Sequence, residues 1–264
     1  MDFLEPILFE SLASFIFPFC RISAFLAVFF VISGANVPMF VRALLALAFT
    51  VCVLPSLPAA PASLIPFSVE GLLAVGSEVI KGLAMGFMTQ FLSQIFTMAG
   101  QAVAMQTGLG FASLVDPVSG TNAPVVGQFF TILSTLVFLS MNGHLAFFGL
   151  MLESFNTVPV GTQMLPPDGL YALSSFGSYM FQAAVAMALS SICTMLIVNF
   201  TLGVMTRAAP QLNIFSLGFA VSMVVGLAVL VLSLNAFMGN FTADLNEVLQ
   251  ATCSLIGTTC NDVW

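Results

Sequence analysis

The chain has 264 residues, of which 59% are hydrophobic and only 6% charged, and its mean hydropathy is +1.11. A soluble domain carries about a quarter charged residues, so this composition excludes an ordinary soluble enzyme and points to a single-domain integral membrane protein. Four Lys plus Arg against eleven Asp plus Glu give a net charge of −7, which leaves no cationic patch for nucleic acid and no polybasic cluster for anionic lipid headgroups.

The start is acidic (Asp2, Glu5) where a signal peptide is basic, so the first apolar run is expected to stay as an anchor. Six apolar segments follow in order, at about 7–33, 39–57, 69–107, 125–155, 171–205 and 212–238. A bilayer core needs roughly 20 helical residues, and several segments exceed one crossing, so tilt, kinks or a protein-lined extension are expected. Proline and glycine punctuate the joints at 34–38, 55–66, 108–124, 159–169 and 208–210. A tail from Gly239 begins amphipathically (Phe241, Leu245, Val248, Leu249) and then turns polar. Arg42 and Arg207 lie beside the joints after the first and fifth segments. By the positive-inside tendency those joints are cytoplasmic and both termini face outward.

Small and polar residues mark helix faces. Gly86, Gln90, Ser93, Thr97, Gly100 and Ala104 recur at steps of four and three along the third segment, as Gly82 and Gly86 do at its start. Gly218, Ser222 and Gly226 recur at steps of four in the sixth. Such spacing lets backbones approach closely in a membrane bundle. Either the faces pack within one chain, or they meet other subunits or line a polar passage; the glutamines, with Gln94 beside them, favour the second. Three charges fall inside apolar segments. Glu78 and Lys81, at i and i+3, can pair, either as a neutralised couple or as charges that respond to ions or partners. Arg21, among Phe17, Phe19 and Phe25, has three outcomes open: snorkelling, stacking on a ring, or meeting an acid on a neighbouring subunit.

Cys20, Cys52 and Cys193 sit in apolar runs and read as small hydrophobes. Cys253 and Cys260, in the tail, can bridge if it faces an oxidising side. No Cys/His cluster suggests a metal, and no motif suggests a cofactor. The single histidine, His144, has no nucleophile or carboxylate nearby in sequence, so no enzyme activity is expected.

The stretch 108–124, GLGFASLVDPVSGTNAP, is apolar for a loop and carries one charge, Asp116. Irregular backbone of that composition belongs inside protein or along a cavity. Gly108 and Gly110 supply hinges, Asp116-Pro117 a rigid turn, and Phe111, Leu114 and Val115 an apolar tip between them. That arrangement suits a plug; a re-entrant loop that only stabilises the bundle is the alternative. A secondary transporter usually breaks helices in both halves of a repeat, and no second break of this kind occurs, but a small-solute transporter with a re-entrant gating loop stays as the competing function.

These residues resemble a known family. Ala99-Gly100-Gln101, Gln106 to Asp116-Pro117, Pro124-Val125, Asn142-Gly143-His144-Leu145, Arg207-Ala208-Ala209-Pro210-Gln211-Leu212-Asn213-Ile214-Phe215 and Gly218-Phe219, with Arg21, Pro38, Arg42 and Pro55 to Pro58, are similar in order and content to the FliR family of flagellar type III export-gate proteins and its virulence relatives. The resemblance implies an all-α membrane protein of six long, partly kinked helices in hairpins, packed in a helical, cone-shaped hetero-oligomer partly raised from the bilayer. It implies a FliP-like part over about 1–170 and a FliQ-like hairpin with a tail over about 171–264. One copy is expected beside FliP and FliQ, with FlhB and other export components nearby. The setting implied is the bacterial inner membrane at the flagellar basal body, in contact with lipid and with unfolded flagellar proteins in transit. The plug positions correspond to Gly108, Gly110, Phe111, Leu114, Val115, Asp116 and Pro117.

Overall fold

In a computed structural model, the structure describes residues 4–34, 37–58, 61, 64, 66, 68–111, 125–161, 163–208, 214–258 and 260. Seven α-helices lie among them: α1 Leu4–Val28, α2 Met39–Val53, α3 Val69–Thr107, α4 Val125–Ser140, α5 Gly143–Thr157, α6 Pro167–Ala208 and α7 Ile214–Ile256. No strand occurs among the described residues, and the protein is an all-α membrane protein. Four helical stretches are long and apolar enough to cross a membrane: Met39–Ser56, Val69–Thr107, Pro167–Met205 and Gly218–Asn235, with α4 and α5 together a fifth candidate.

Local chemistry sets three of the helix ends. Ser68 Oγ accepts the Gly71 amide at 3.0 Å at the start of α3, and Glu70 adds a negative charge to the positive end of the helix. Gly108, at φ +79°, stops α3 at the predicted residue, in a left-handed conformation that glycine adopts at little cost. At the end of α7, Thr258 N donates to Cys253 O at 2.9 Å and Gly257 N to Ser254 O at 3.2 Å, the paired bonds of a Schellman cap, with Gly257 at φ +71°.

Two segments differ from the sequence expectation. The fourth, read as one run over 125–155, breaks at Met141–Asn142, where Asn142 adopts φ 57° and ψ 22°. Hydropathy carries no record of one left-handed residue. The sixth does not end at Met238: α7 continues to Ile256, because Phe241, Leu245, Val248 and Leu249 are all buried.

Two compact units interleave along the chain. One holds Met1–Phe91, Met141–Gly177 and Glu247–Trp264, and the other Leu92–Ser140 and Ser178–Asn246. In the first unit, Phe25, Phe29, Phe49 and Phe148 form a chain of ring contacts with centroids 5.1–6.1 Å apart. Gly169 presses on the Leu255 backbone, which seats the start of α6 against the end of α7, and Cys253 and Cys260 form a disulfide there with Cα atoms 5.8 Å apart. In the second unit, Phe96, Phe130, Phe237 and Phe241 pack ring on ring, with centroids 4.9–6.1 Å apart.

Small residues close the helix contacts, and they do so inside the chain. A Cβ at Gly82 would collide with the Arg21 carbonyl, and one at Gly86 would lie 3.0 Å from the Phe25 carbonyl and from Val28 Cβ, so both glycines admit α1 against α3. A Gly82→Val substitution is therefore expected to destabilise the chain by about 1–3 kcal/mol or more. Its check is the melting temperature of the detergent-solubilised protein; an unchanged melt would mean that α1 does not lie on this face.

Candidate functional site

Deep in the first unit, two cations share one carboxylate. Arg21 Nε donates to Glu78 Oε2 at 2.6 Å, and Lys81 Nζ donates to Glu78 Oε1 at 2.7 Å. All three residues are at most 1% exposed. Helix periodicity places Glu78 and Lys81 one turn apart on α3, and α1 brings Arg21 onto them across 57 positions of sequence.

One positive charge is left over, and carbonyl oxygens meet it. Arg21 Nη1 donates to Ser154 O at 2.8 Å and to Ser154 Oγ at 3.1 Å, and Nη2 donates to Val158 O at 2.9 Å. These acceptors end α5, where the helix dipole favours a cation. The guanidinium also lies 4.1 Å above the Phe155 ring. Lys81 Nζ donates to Pro159 O at 3.2 Å and Gly161 O at 3.5 Å, while Gly161 N donates to Glu78 Oε1 at 3.4 Å and Ser77 Oγ donates to Gly161 O. The cluster thus ties α1, α3, the end of α5 and the turn after it into one closed network. Of the outcomes open for Arg21, the structure realises the stacking on a ring; the acid it meets is Glu78 of its own chain, not one on a neighbouring subunit. The spacing of Glu78 and Lys81 is visible in sequence. The carbonyl acceptors are not, because any residue could supply them.

The polar stripe of α3 is also satisfied internally. Gln90 Nε2 donates to Val28 O at 2.7 Å and to Ser33 Oγ at 2.6 Å, and the Thr97 and Thr131 hydroxyls are 2.7 Å apart. A Cβ at Gly100 would sit 2.9 Å from Gly127 Cα and from the Phe130 ring, and one at Gly226 would press on Thr107. On α3, Gly82, Gly86, Gln90 and Gly100, read from sequence as helix-packing or subunit-interface positions, make contacts within the chain, and Gly226 of α7 does likewise against Thr107. Ser222 is buried, its hydroxyl donating to Phe219 O at 3.0 Å, and Gly218 is half-buried. Gln94 is exposed.

At the central loop, Thr107 Oγ1 donates to Ala104 O at 3.2 Å, Gly108 turns left-handed, and Leu109–Phe111 form one turn of 3₁₀ helix. A Cβ at Gly110 would lie 2.9 Å from Met105 Sδ, towards the flexible end of that side chain. Leu114, Val115, Asp116 and Pro117 lie outside the described residues, as does the Phe111 side chain. His144 sits in the first turn of α5 with its Nδ1 buried and without a hydrogen-bond partner. Among the described residues no group of three or more His, Cys, Asp or Glu side chains is placed to hold a metal.

These features define an all-α integral membrane protein in which Arg21, Glu78, Lys81 and the glycines beside them serve internal packing. Bacterial export proteins, family 1, match residues 12–248. The chain is 35% identical over 216 residues to the flagellar biosynthetic protein FliR of Escherichia coli K12, covering 82% of each chain. It is 32% identical to the FliR protein of Aquifex aeolicus over 244 residues (91% of this chain, 94% of that one), and 25% identical to that of Bacillus subtilis over 251 residues (92% and 96%). The chain belongs to this FliR family of bacterial export proteins.

Removing one member of the charge cluster tests its hold on the unit. Glu78→Ala leaves two buried cations without their acid, which costs about 3–5 kcal/mol; Lys81→Met removes the surplus charge and is expected to cost much less. Comparing the thermal stability of the two variants checks this, and equal losses would mean that the carboxylate is not the keystone.

Proposed function

We propose that the chain is a membrane subunit of the flagellar protein export gate, present in one copy with FliP and FliQ in the bacterial inner membrane at the basal body. In this reading it nucleates their assembly and helps to form the channel for unfolded flagellar proteins, with FlhB and other export components close by. The observation that carries the proposal is the likeness to FliR proteins across more than four-fifths of the chain.

The segment 108–124 is then the plug. A pore wide enough for a polypeptide leaks ions unless a dry, apolar constriction closes it, and Phe111, Leu114 and Val115 supply such a tip. The left-handed Gly108 supports a fixed point from which the segment departs. The four-residue steps at Gly218 and Ser222 stay as a candidate contact with FliP or FliQ.

Orientation has two supports. Arg207, in the last turn of α6, marks a cytoplasmic joint. The Cys253–Cys260 disulfide of the first unit suits an oxidising compartment, which favours a periplasmic setting for that part of the chain.

Two measurements check the proposal. Deleting 111–115 is expected to leave the complex assembled and the membrane leaky, read as increased conductance or small-molecule sensitivity; an unchanged barrier would sink the plug. The mass of the purified complex is expected to fit one copy of this chain beside FliP and FliQ. A homodimer taking up a small solute would favour a transporter instead.

A further inference from the structure

A groove of about 290 Å³ opens between α1, α2 and α5 in the first unit, lined by Leu26, Ile32, Leu45, Ala48, Phe49 and Phe148. Leu45, Ala48, Phe49 and Cys52 lie on one face of α2, so the groove follows that helix for about 10 Å. Arg42 lies one turn before Leu45 on the same face. Its guanidinium donates to Ser33 O at 2.9 Å, Gly34 O at 2.7 Å, Val37 O at 3.1 Å and Ala27 O at 3.5 Å. Ala27 and Ser33 directly follow the groove residues Leu26 and Ile32, which puts the cation on the rim. Carbonyls are its only acceptors among the described residues, no carboxylate pairs with it, and its buried Nε finds no acceptor.

From this we propose that the groove binds an anionic phospholipid, with one acyl chain along α2 between Leu45 and Cys52 and the phosphate at Arg42. Charge complementarity selects the headgroup: a guanidinium whose charge no carboxylate neutralises stands at the mouth of an apolar slot. The composition of α2 selects lipid over a protein helix. Its exposed residues include Met39, Phe40, Val41, Leu44, Leu47 and Val51 and offer a partner no hydrogen-bonding group, while the Thr50 hydroxyl is turned back onto Ala46 O at 2.7 Å. The joint before α2 is also the one that the positive-inside tendency assigns to the cytoplasmic leaflet, where anionic lipids collect. A single arginine is no polybasic patch, so selectivity comes from the pairing of charge and slot.

The test uses the full complex containing this chain, purified in mild detergent and exchanged into dioleoylphosphatidylglycerol or dioleoylphosphatidylcholine, with retained lipids counted by native mass spectrometry. Retention of the glycerol lipid over the choline lipid is expected at roughly fivefold. Arg42→Gln is expected to abolish that preference and Arg42→Lys to keep it, while Ala48→Trp, which fills the slot, lowers retention of both lipids. Equal retention of the two lipids by the unaltered complex would overturn the proposal, as would a preference that survives Arg42→Gln or a total lipid retention that Ala48→Trp leaves unchanged. If Arg42→Gln does not assemble, Ala48→Trp decides alone. A photo-crosslinking phenylalanine at position 49 gives an independent reading: a lipid adduct supports the site, and a crosslink to a protein neighbour overturns it.

Discussion

Taking a charge out of water costs several kcal/mol even after relaxation, and this chain does so three times in one place. Glu78 recovers part of that cost by serving Arg21 and Lys81 together, and the α5 carbonyls recover more by presenting the negative end of a helix dipole to the surplus cation. The consequence is geometric. Ordinary apolar packing would let α1 slide along α3, because one Leu or Phe side chain exchanges for another at small cost. A buried ion network has one register in which every donor finds its acceptor, so it fixes α1, α3 and the α5 turn together. The small residues beside it then become necessary: Gly82 lies against the Arg21 backbone, and any side chain there would meet the Arg21 carbonyl and the Ala24 side chain.

The same economy governs the other basic residues. With only four in the chain, two belong to the cluster and a third, Arg42, ties the end of α1 to the start of α2 through main-chain oxygens. Each of these three fastens backbone segments together. The fourth, Arg207, sits in the last turn of α6, where the dipole welcomes it.

What could be read from the sequence follows from how local its cause is. The bounds of α3 are legible to the residue, since a serine cap opens the run and a glycine closes it. The break at Asn142 is not, because a single left-handed residue leaves an apolar run apolar. The continuation of α7 was half visible: the amphipathic spacing of Phe241, Leu245, Val248 and Leu249 is plain, but Gly239-Asn240 looks like a stop unless their burial is known. The stripe on α3 shows the limit most clearly. Spacing shows that something approaches Gly86 and Gly100 closely, and only coordinates identify it as Phe25 and Val28 in one case and Gly127 in the other. Carbonyl acceptors have no residue signature at all, so the partners of Arg21 beyond Glu78 lay out of reach.

Where close-approach faces such as that of Gly82, Gly86 and Gly100 meet helices of their own chain, the exposed apolar surfaces are of another kind. Lipid tails are as apolar as leucine, so burying an exposed Phe or Val against a protein gains packing and little hydrophobic energy. The exposed side of α6 carries Phe181, Val185, Leu189 and Phe200, but Gln182 and Asn199 stand among them, also exposed. Amide side chains facing hydrocarbon are costly unless something bonds them, and the hydroxyls nearby, Thr194 and Thr201, already bond back to Ser190 O and Ile197 O at 2.8 Å. The outer face of α2 presents no such amide. The two helices thus differ in the polar groups they carry: Asn199 is exposed on α6, Gln182 shares a pocket with Asn240 and Asp244, and α2 carries no amide at all.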